Sequence, residues 1–191
     1  MPIASNEIQS FRPHPWPFDL MTPYLPSTGT LLEIGAYLGK STVSWAESFA
    51  SAGHMYDIHT VDAFRGIQGD VDSGNCDDNE FLKSMSISEE DHLKTFQKNI
   101  DGWSNITWEK NVFDENYVPP DGFEDPTVIF YDAFHSYEAV TSFINWCEGK
   151  SSIIVIDDYD IEGTKRAVDE STQFEKIYEE PLRGIVALVR S

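Results

Sequence analysis

The segment Leu31–Thr42, with the sequence LLEIGAYLGKST, constrains the fold of this chain more than any other segment. An apolar run leads into two glycines, Gly35 and Gly39, and a helical pattern begins near Ser41. This order predicts a strand, a tight turn and a helix, the first half of an α/β unit. Because a helix amino-terminus directs backbone N–H groups at the end of the strand, such a unit can hold a ligand there.

The spacing of the glycines separates several interpretations of this loop. A Walker phosphate loop needs four residues between its glycines, whereas Gly35 and Gly39 enclose only three. A dinucleotide-binding G-x-G-x-x-G loop needs a glycine where Tyr37 stands. The pattern E-x-G-x-x-x-G, which begins at Glu33, fits without a gap. A glycine turn without any ligand is the remaining alternative.

Composition narrows the class of protein. A chain of 191 residues with 40% hydrophobic content suits one globular domain, and no apolar run is long enough to predict a membrane segment. The two cysteines, Cys76 and Cys147, make neither a disulfide framework nor a zinc motif, so we expect a cytoplasmic protein. The net charge of −20 would repel a nucleic-acid backbone. It favours a small neutral or cationic substrate, unless the charge serves solubility alone.

Hydrophobic periodicity predicts five β–α units followed by an antiparallel hairpin. We expect residues 1–27 to form an arm with a short helix, and residues 28–191 to form the domain. The predicted strands cover about 30–35, 55–62, 105–110, 126–132, 151–158, 174–178 and 185–189. The predicted helices cover about 41–52, 88–100, 133–147 and 162–173.

Acidic residues follow three of these strands. Asp62 ends the second strand, where it could accept hydrogen bonds from a ribose or simply begin a turn. Asp132 follows the fourth strand and Asp157–Asp158 the fifth, and neighbouring strands lie about 5 Å apart. Three converging carboxylates would repel one another unless a hard cation such as Mg²⁺ or Ca²⁺ joins them. Helix capping or loop hydrogen bonding is the alternative for the aspartate pair.

A long acidic segment, residues 63–87, follows the second strand. Its aspartates invite a calcium interpretation, but Gly74 occupies the third ligand position of an EF-hand loop. We therefore predict a solvated loop beside the site that serves as a lid or helps to select the substrate.

Four parts of the chain, taken in order, resemble class I S-adenosylmethionine-dependent methyltransferases, and most of all the small family of macrocin-type O-methyltransferases. They are Glu33–Ser41 (EIGAYLGKS), Asp62–Gly66 (DAFRG), Tyr131–Val140 (YDAFHSYEAV), and Ile156–Tyr159 (IDDY) with Gly163–Glu170 (GTKRAVDE). The resemblance spans residues 28–190. It implies an α/β, Rossmann-like fold with a seven-stranded, mostly parallel sheet, an antiparallel last strand and helices on both faces. It also implies O-methylation of a small hydroxylated molecule, with magnesium in several members.

The resemblance further implies which residues form the site. The implied cofactor-binding residues are Glu33, Gly35, Tyr37, Gly39, Ser41, Thr42, Asp62, Ala63, Phe64, Asn111, Val112, Phe113 and Asp132. Asp132, Asp157 and Asp158 correspond to the magnesium ligands. We expect a small-molecule substrate, no nucleic-acid or membrane partner, and leave self-association open.

One departure from the family pattern concerns the catalytic base. Members often carry D-G-D after the fourth strand, but Phe134 stands here in place of the second acid. His135, beside Asp132, is then the candidate base near neutral pH, or else a histidine packed at the start of a helix. The lost acid also keeps a second hypothesis open, a nucleoside-binding protein without transferase activity.

Overall fold

The computed structural model describes residues 2–10, 18–66, 87–151, 153–180 and 184–190. The strands within them are β1 (Thr28–Ile34), β2 (Met55–Asp62), β3 (Ile106–Lys110), β4 (Val128–Tyr131), β5 (Ile153–Ile156), β6 (Phe174–Glu180) and β7 (Ile185–Arg190). They form one sheet in the order β3-β2-β1-β4-β5-β7-β6. Strands β1 to β5 pair in parallel, and β7 pairs antiparallel with both β5 and β6. The predicted seven-stranded, mostly parallel sheet with an antiparallel last strand is confirmed.

Helices cover both faces of the sheet, as predicted. They are α1 (Phe18–Met21), α2 (Lys40–Ala52), α3 (Glu89–Ile100), α4 (Tyr137–Trp146) and α5 (Glu162–Glu170), with single 3-10 turns at Ser5–Glu7 and Thr22–Tyr24. The first three helices pack on one face, and α4 and α5 pack on the other. Among the described residues, no helix has the length and apolar character needed to cross a membrane.

The two faces carry separate hydrophobic cores, because successive side chains of a strand point to opposite faces. Leu31 of β1 belongs to the first core, where Phe18 stacks on Trp45 with ring centroids 3.7 Å apart. Leu32 belongs to the second core. A sheet buried on both faces explains why β1, β4 and β5 are nearly continuous apolar runs.

Helix α4 begins later than the sequence predicted. The Ser136 side chain accepts a hydrogen bond from the Ala139 amide at 3.2 Å and so caps the helix, which starts at Tyr137. Residues 132–135 consequently form a loop between β4 and α4. His135 therefore lies in this loop at the edge of the sheet, near Asp132, rather than in a helix.

The described part of the N-terminal arm packs on the domain. Ile8 is buried in the first core, and the Ser5 amide donates to Glu47 of α2 at 3.1 Å. The division between residues 1–27 and 28–191 stays a prediction. The predictions for the acidic segment fall on residues 67–86 for the most part, and these lie outside the described residues, as does Cys76.

Candidate active site

The carboxyl ends of the parallel strands bring most of the predicted site residues to one edge of the sheet. Ile34 of β1 pairs with Val61 of β2 and with Tyr131 of β4, and Tyr131 pairs in turn with Ile156 of β5. The residues that follow each strand therefore start from the same level. The glycine loop, Asp62 and the aspartates after β4 and β5 all lie along this edge.

Gly35 occupies a position that only glycine can fill. Its φ of +88° lies in the left-handed region, and a Cβ there would stand 1.9 Å from the carbonyl oxygen of Asp132. Gly39, with φ +86°, lies against Phe96 of α3, whose ring a Cβ would meet at 3.1 Å. Gly35 allows the loop after β1 to pass close to the residue that follows β4, and Gly39 lets α2 begin close to α3.

Glu33 is fully buried beneath the glycine loop. Its carboxylate accepts a hydrogen bond from Ser41 Oγ at 2.6 Å and another from Thr42 Oγ1. Burial raises the pKa of Glu33 to about 7, because these two hydrogen bonds offset only part of the lost hydration. These hydrogen bonds fix the first turn of α2 to the end of β1. Contact of the three side chains with a cofactor stays a prediction.

Asp62 holds two loops in place through main-chain amides. One carboxylate oxygen accepts from Ala36 N at 2.8 Å and from Tyr37 N at 2.9 Å. The other accepts from Phe64 N at 2.6 Å. The acid at the end of β2 therefore shapes the loops that follow β1 and β2, while its contact with a ribose stays a prediction.

Sequence reasoning missed two polar residues of α3 that support the glycine loop. His92 Nε2 lies 2.9 Å from the Tyr37 carbonyl oxygen, and Asn99 Nδ2 donates to the Leu38 carbonyl oxygen at 2.9 Å. A signal was present, because His92 and Asn99 share the buried face of an amphipathic helix with Phe96. Polar groups on such a face need hydrogen-bonding partners.

A cavity of about 520 Å³ opens beside the ends of β2 and β3. Its lining residues are Ala63, Arg65, Glu89, Lys110, Asn111 and Val112. Three of the predicted cofactor-binding residues, Ala63, Asn111 and Val112, are therefore together at one cavity. Phe113 lies elsewhere, because its ring packs edge-on against Trp146 in the second core at 5.0 Å. The hydrophobic character of Phe113 accounts for this position.

A mixed cluster of acids and one histidine lies after β4 and β5. Asp132, His135 and Asp158 each offer a ligand atom, and these atoms lie within 4.8 Å of one another. His135 Nε2 is 2.8 Å from Asp158 Oδ2. The cluster differs from the predicted one, since it contains His135 and not Asp157. Asp157 is buried, with only 4% of its surface exposed. The left-handed φ of Asp158, +53°, turns the chain between the two aspartates.

The charges around His135 govern its protonation. Burial acts to lower the pKa of the imidazole, but the hydrogen bond and charge of Asp158, helped by the charges of Asp157 and Asp160, outweigh it and raise the pKa. The histidine and Asp158 can therefore hold a proton between them. Phe134, which replaces the family acid, contributes only its backbone amide to a hydrogen bond, donated to Tyr131 Oη at 3.3 Å.

The sequence over residues 32–159 matches a family model described as a methyltransferase domain. The chain therefore belongs to this family of methyltransferase domains, as its resemblance to class I enzymes predicted. No curated protein matches the sequence.

Solved structures share the fold at low sequence identity. The O-methyltransferase NovP is 19% identical, with a TM-score of 0.58, and the match covers 91% of this chain and 76% of NovP. The methyltransferase PaMTH1 of Podospora anserina, solved with S-adenosylhomocysteine bound, is 15% identical with a TM-score of 0.53, over 85% and 71% of the two chains. Cofactor-bound Rv0187 from MTB is 14% identical with a TM-score of 0.52, over 91% and 77%.

Proposed function

We propose that this chain is an S-adenosylmethionine-dependent methyltransferase that methylates a hydroxyl oxygen of a small molecule with the help of a divalent cation. One observation carries the proposal. The glycine loop and the Asp132–His135–Asp158 cluster follow adjacent strands, and Gly35 packs directly on the Asp132 carbonyl. A methyl donor held by the loop and a hydroxyl held by the cluster would therefore be neighbours.

The region around the glycine loop fits an adenosyl cofactor. S-adenosylmethionine, when bound, supplies a methyl group already activated on a sulfonium, so the protein mainly has to position it. The amides at the start of α2 and the backbone at Gly35 suit the methionine part. Val112, which is 42% exposed at the cavity, offers apolar surface to a purine. The Asp62 carboxylate retains acceptor capacity for a ribose hydroxyl beyond its three amide donors.

The Asp132–His135–Asp158 cluster fits a divalent cation. Two carboxylates with one imidazole form a donor set that suits Mn²⁺ or Fe²⁺ as well as the Mg²⁺ predicted from sequence, and suits Ca²⁺ less. A divalent cation there would lower the pKa of a coordinated substrate hydroxyl. With a cation bound, His135 would serve as one of its ligands. Where the cation is held by the two aspartates alone, the His135 imidazole, which lies 2.8 Å from Asp158 Oδ2, is the chain's own candidate to accept the hydroxyl proton.

The choice of an oxygen acceptor on a small molecule has further support. NovP, which shares the fold, is an O-methyltransferase. The net charge of −20 opposes a nucleic-acid substrate. The cytoplasmic location and any self-association stay predictions.

A second candidate function is cofactor or nucleoside binding without methyl transfer. Phe134 favours it, because the acid that many family members carry at this position is replaced by an apolar ring. Both candidate functions require binding of an adenosyl compound, and only the first requires transfer of a methyl group.

Isothermal titration calorimetry with S-adenosylmethionine and S-adenosylhomocysteine tests the shared premise. We expect a single site for both compounds, and no heat of binding for either would overturn both candidates. Transfer of a radiolabelled methyl group to a panel of catechols, hydroxylated sugars and amines then separates them. Labelling of a hydroxyl compound supports the transferase. Cofactor binding with no labelled product across the panel supports the second candidate.

Titration with Mn²⁺, followed by electron paramagnetic resonance, tests the cation site independently of activity. We expect Asp158→Asn and His135→Asn each to weaken Mn²⁺ binding by about tenfold or more. Asp121→Asn, which changes an exposed acid in a distant turn, is the control for loss of charge alone. Equal affinities in wild type and Asp158→Asn would remove this cluster from the cation site. A loss of Mn²⁺ affinity in Asp157→Asn alone would show that Asp157, the ligand predicted from sequence, binds the cation instead.

A further inference from the structure

His92 connects two loops that lie at the same edge of the sheet. Its Nδ1 accepts a hydrogen bond from the Gly66 amide at 3.1 Å, and its Nε2 lies 2.9 Å from the Tyr37 carbonyl oxygen. Since Nδ1 is an acceptor here, the proton sits on Nε2 and is donated to Tyr37. A single neutral imidazole therefore joins the glycine loop to the loop after β2.

The imidazole has little freedom to move. His92 is 1% exposed. Its ring packs edge-on against Tyr37 and Phe64, at centroid distances of 5.2 and 5.3 Å. Neither hydrogen bond can be replaced by water without opening this packing, so the bridge is part of the interior.

The two loops contain strained backbone at the residues that the bridge touches. Tyr37 and Phe64 have φ values of +47° and +46°, which are costly for residues with a side chain. Such conformations persist only where the surroundings fix them. The Asp62 carboxylate accepts the Tyr37 amide, and His92 donates to the carbonyl of the same residue. Tyr37 is thus held from both ends.

The second loop ends at a close junction of the chain. A Cβ on Gly66, whose φ is +74°, would lie 2.4 Å from the carbonyl oxygen of Ile87. The backbone of Gly66 therefore packs closely against the backbone of Ile87 and the two residues after it. His92 binds the Gly66 amide at this point.

We propose that His92 is a positioning residue that couples ligand binding at the glycine loop to the packing of Gly66 against Ile87. The identity of the ligand, an adenosyl cofactor, rests on the proposed function, whereas the bridge itself does not. Because coupling between two sites is reciprocal, the ligand should protect the junction, and loss of the bridge should weaken the ligand.

Amide hydrogen exchange, measured by nuclear magnetic resonance without any ligand, tests the bridge. His92→Phe keeps an aromatic ring but removes both hydrogen bonds, and we expect the Gly66 amide to exchange about tenfold faster or more. His92→Gln offers one donor and one acceptor and should restore part of the protection. Asn105→Ala is the control, because Asn105 also bonds a main-chain carbonyl, that of Tyr56 at 2.9 Å, away from the loops.

Calorimetry with S-adenosylhomocysteine on the same proteins tests the coupling. We expect affinity to fall about tenfold in His92→Phe, to recover partly in His92→Gln and to be unchanged in Asn105→Ala. In wild type, S-adenosylhomocysteine should slow exchange at Gly66. Unchanged exchange at Gly66 in ligand-free His92→Phe would overturn the bridge. Wild-type affinity in His92→Phe would overturn the coupling, whereas no binding by wild type would overturn the proposed function.

Discussion

The two halves of the carboxyl edge use acidic side chains for different purposes. At the ends of β1 and β2, Glu33 and Asp62 accept hydrogen bonds from two hydroxyls and three main-chain amides of the chain itself. After β4 and β5, Asp132 and Asp158 gather with His135 around one point, with their ligand atoms within 4.8 Å.

The hydrogen-bonding partners of a carboxylate decide its role. An acid that accepts main-chain amides fixes the backbone, so its replacement should be felt in stability and in the shape of the loop. Where an acid faces other titratable groups, its replacement by a neutral residue should change stability little. Its charge is available for cation or proton chemistry. Substitutions in the two halves should therefore differ in their effect on stability.

The largest effect is expected at Gly35, where the two halves touch. Gly35→Ala places a Cβ 1.9 Å from the Asp132 carbonyl oxygen, so we expect a loss of more than about 4 kcal/mol in the free energy of unfolding. Gly53→Ala is a matched control, because Gly53 also has a positive φ, +72°, but no atom stands within 4 Å of the added carbon. It should cost only about 1 kcal/mol. Equal losses in urea denaturation would show that close packing at Gly35 is unimportant.

Glu33 should make stability depend on pH. Burial raises its pKa to about 7 from the ordinary 4.5, so the folded state binds more protons than the unfolded state between these values. The contribution is fully present below pH 4.5 and is lost as pH rises to about 7, on the order of 3 kcal/mol in all. Glu33→Gln should remove this dependence. Denaturation at pH 5 and pH 8, with the exposed Glu138→Gln as control, measures it.

The contrary result for Glu33 would be the same difference in stability between pH 5 and pH 8 for wild type and Glu33→Gln. That outcome would mean that Glu33 titrates normally despite its burial. The start of α2 would then be held by a Glu33 carboxylate that is ionised at neutral pH.

The elements that define the fold were predictable, but the partners of the site residues were not. Apolar runs and glycines located β1, β2, β4 and β5 because a sheet buried on both faces leaves that pattern in sequence. Asp62 and Glu33 were found for the same reason, since they end or interrupt those runs. Their hydrogen-bonding partners could not be found, because these depend on how the loops turn at Tyr37 and Phe64, two left-handed residues without a sequence signature.

The histidines show the same limit. His92 approaches Tyr37 from 55 residues along the chain, and sequence spacing alone does not record such a contact. His135 was singled out beside Asp132, but its contact with Asp158 joins two different loops, and sequence spacing does not record that contact either.

An intermediate effect is expected at Asp62. Asp62→Asn keeps one acceptor oxygen but turns an amide nitrogen toward a main-chain N–H, so we expect a loss of about 2 kcal/mol in the free energy of unfolding. The control is Asp57→Asn on the same strand, which is exposed. A loss no greater than that of Asp57→Asn in urea denaturation would contradict the structural role of this carboxylate.

The smallest effect on stability is expected at Asp158. Asparagine tolerates the left-handed conformation that Asp158 adopts, φ +53°, and the ion pair with His135 is partly exposed. Asp158→Asn should therefore change the free energy of unfolding by less than about 1 kcal/mol. A loss as large as that of Asp62→Asn, measured in the same urea series, would erase the distinction between the two halves.

A crystal structure grown with S-adenosylhomocysteine and Mn²⁺ tests the central claim most directly. We expect the nucleoside against Gly35, Asp62 and the cavity at Asn111–Val112, with the anomalous signal of manganese between Asp132, His135 and Asp158. Density for the nucleoside away from the glycine loop would overturn the cofactor site, and manganese bound only elsewhere would overturn the cation site.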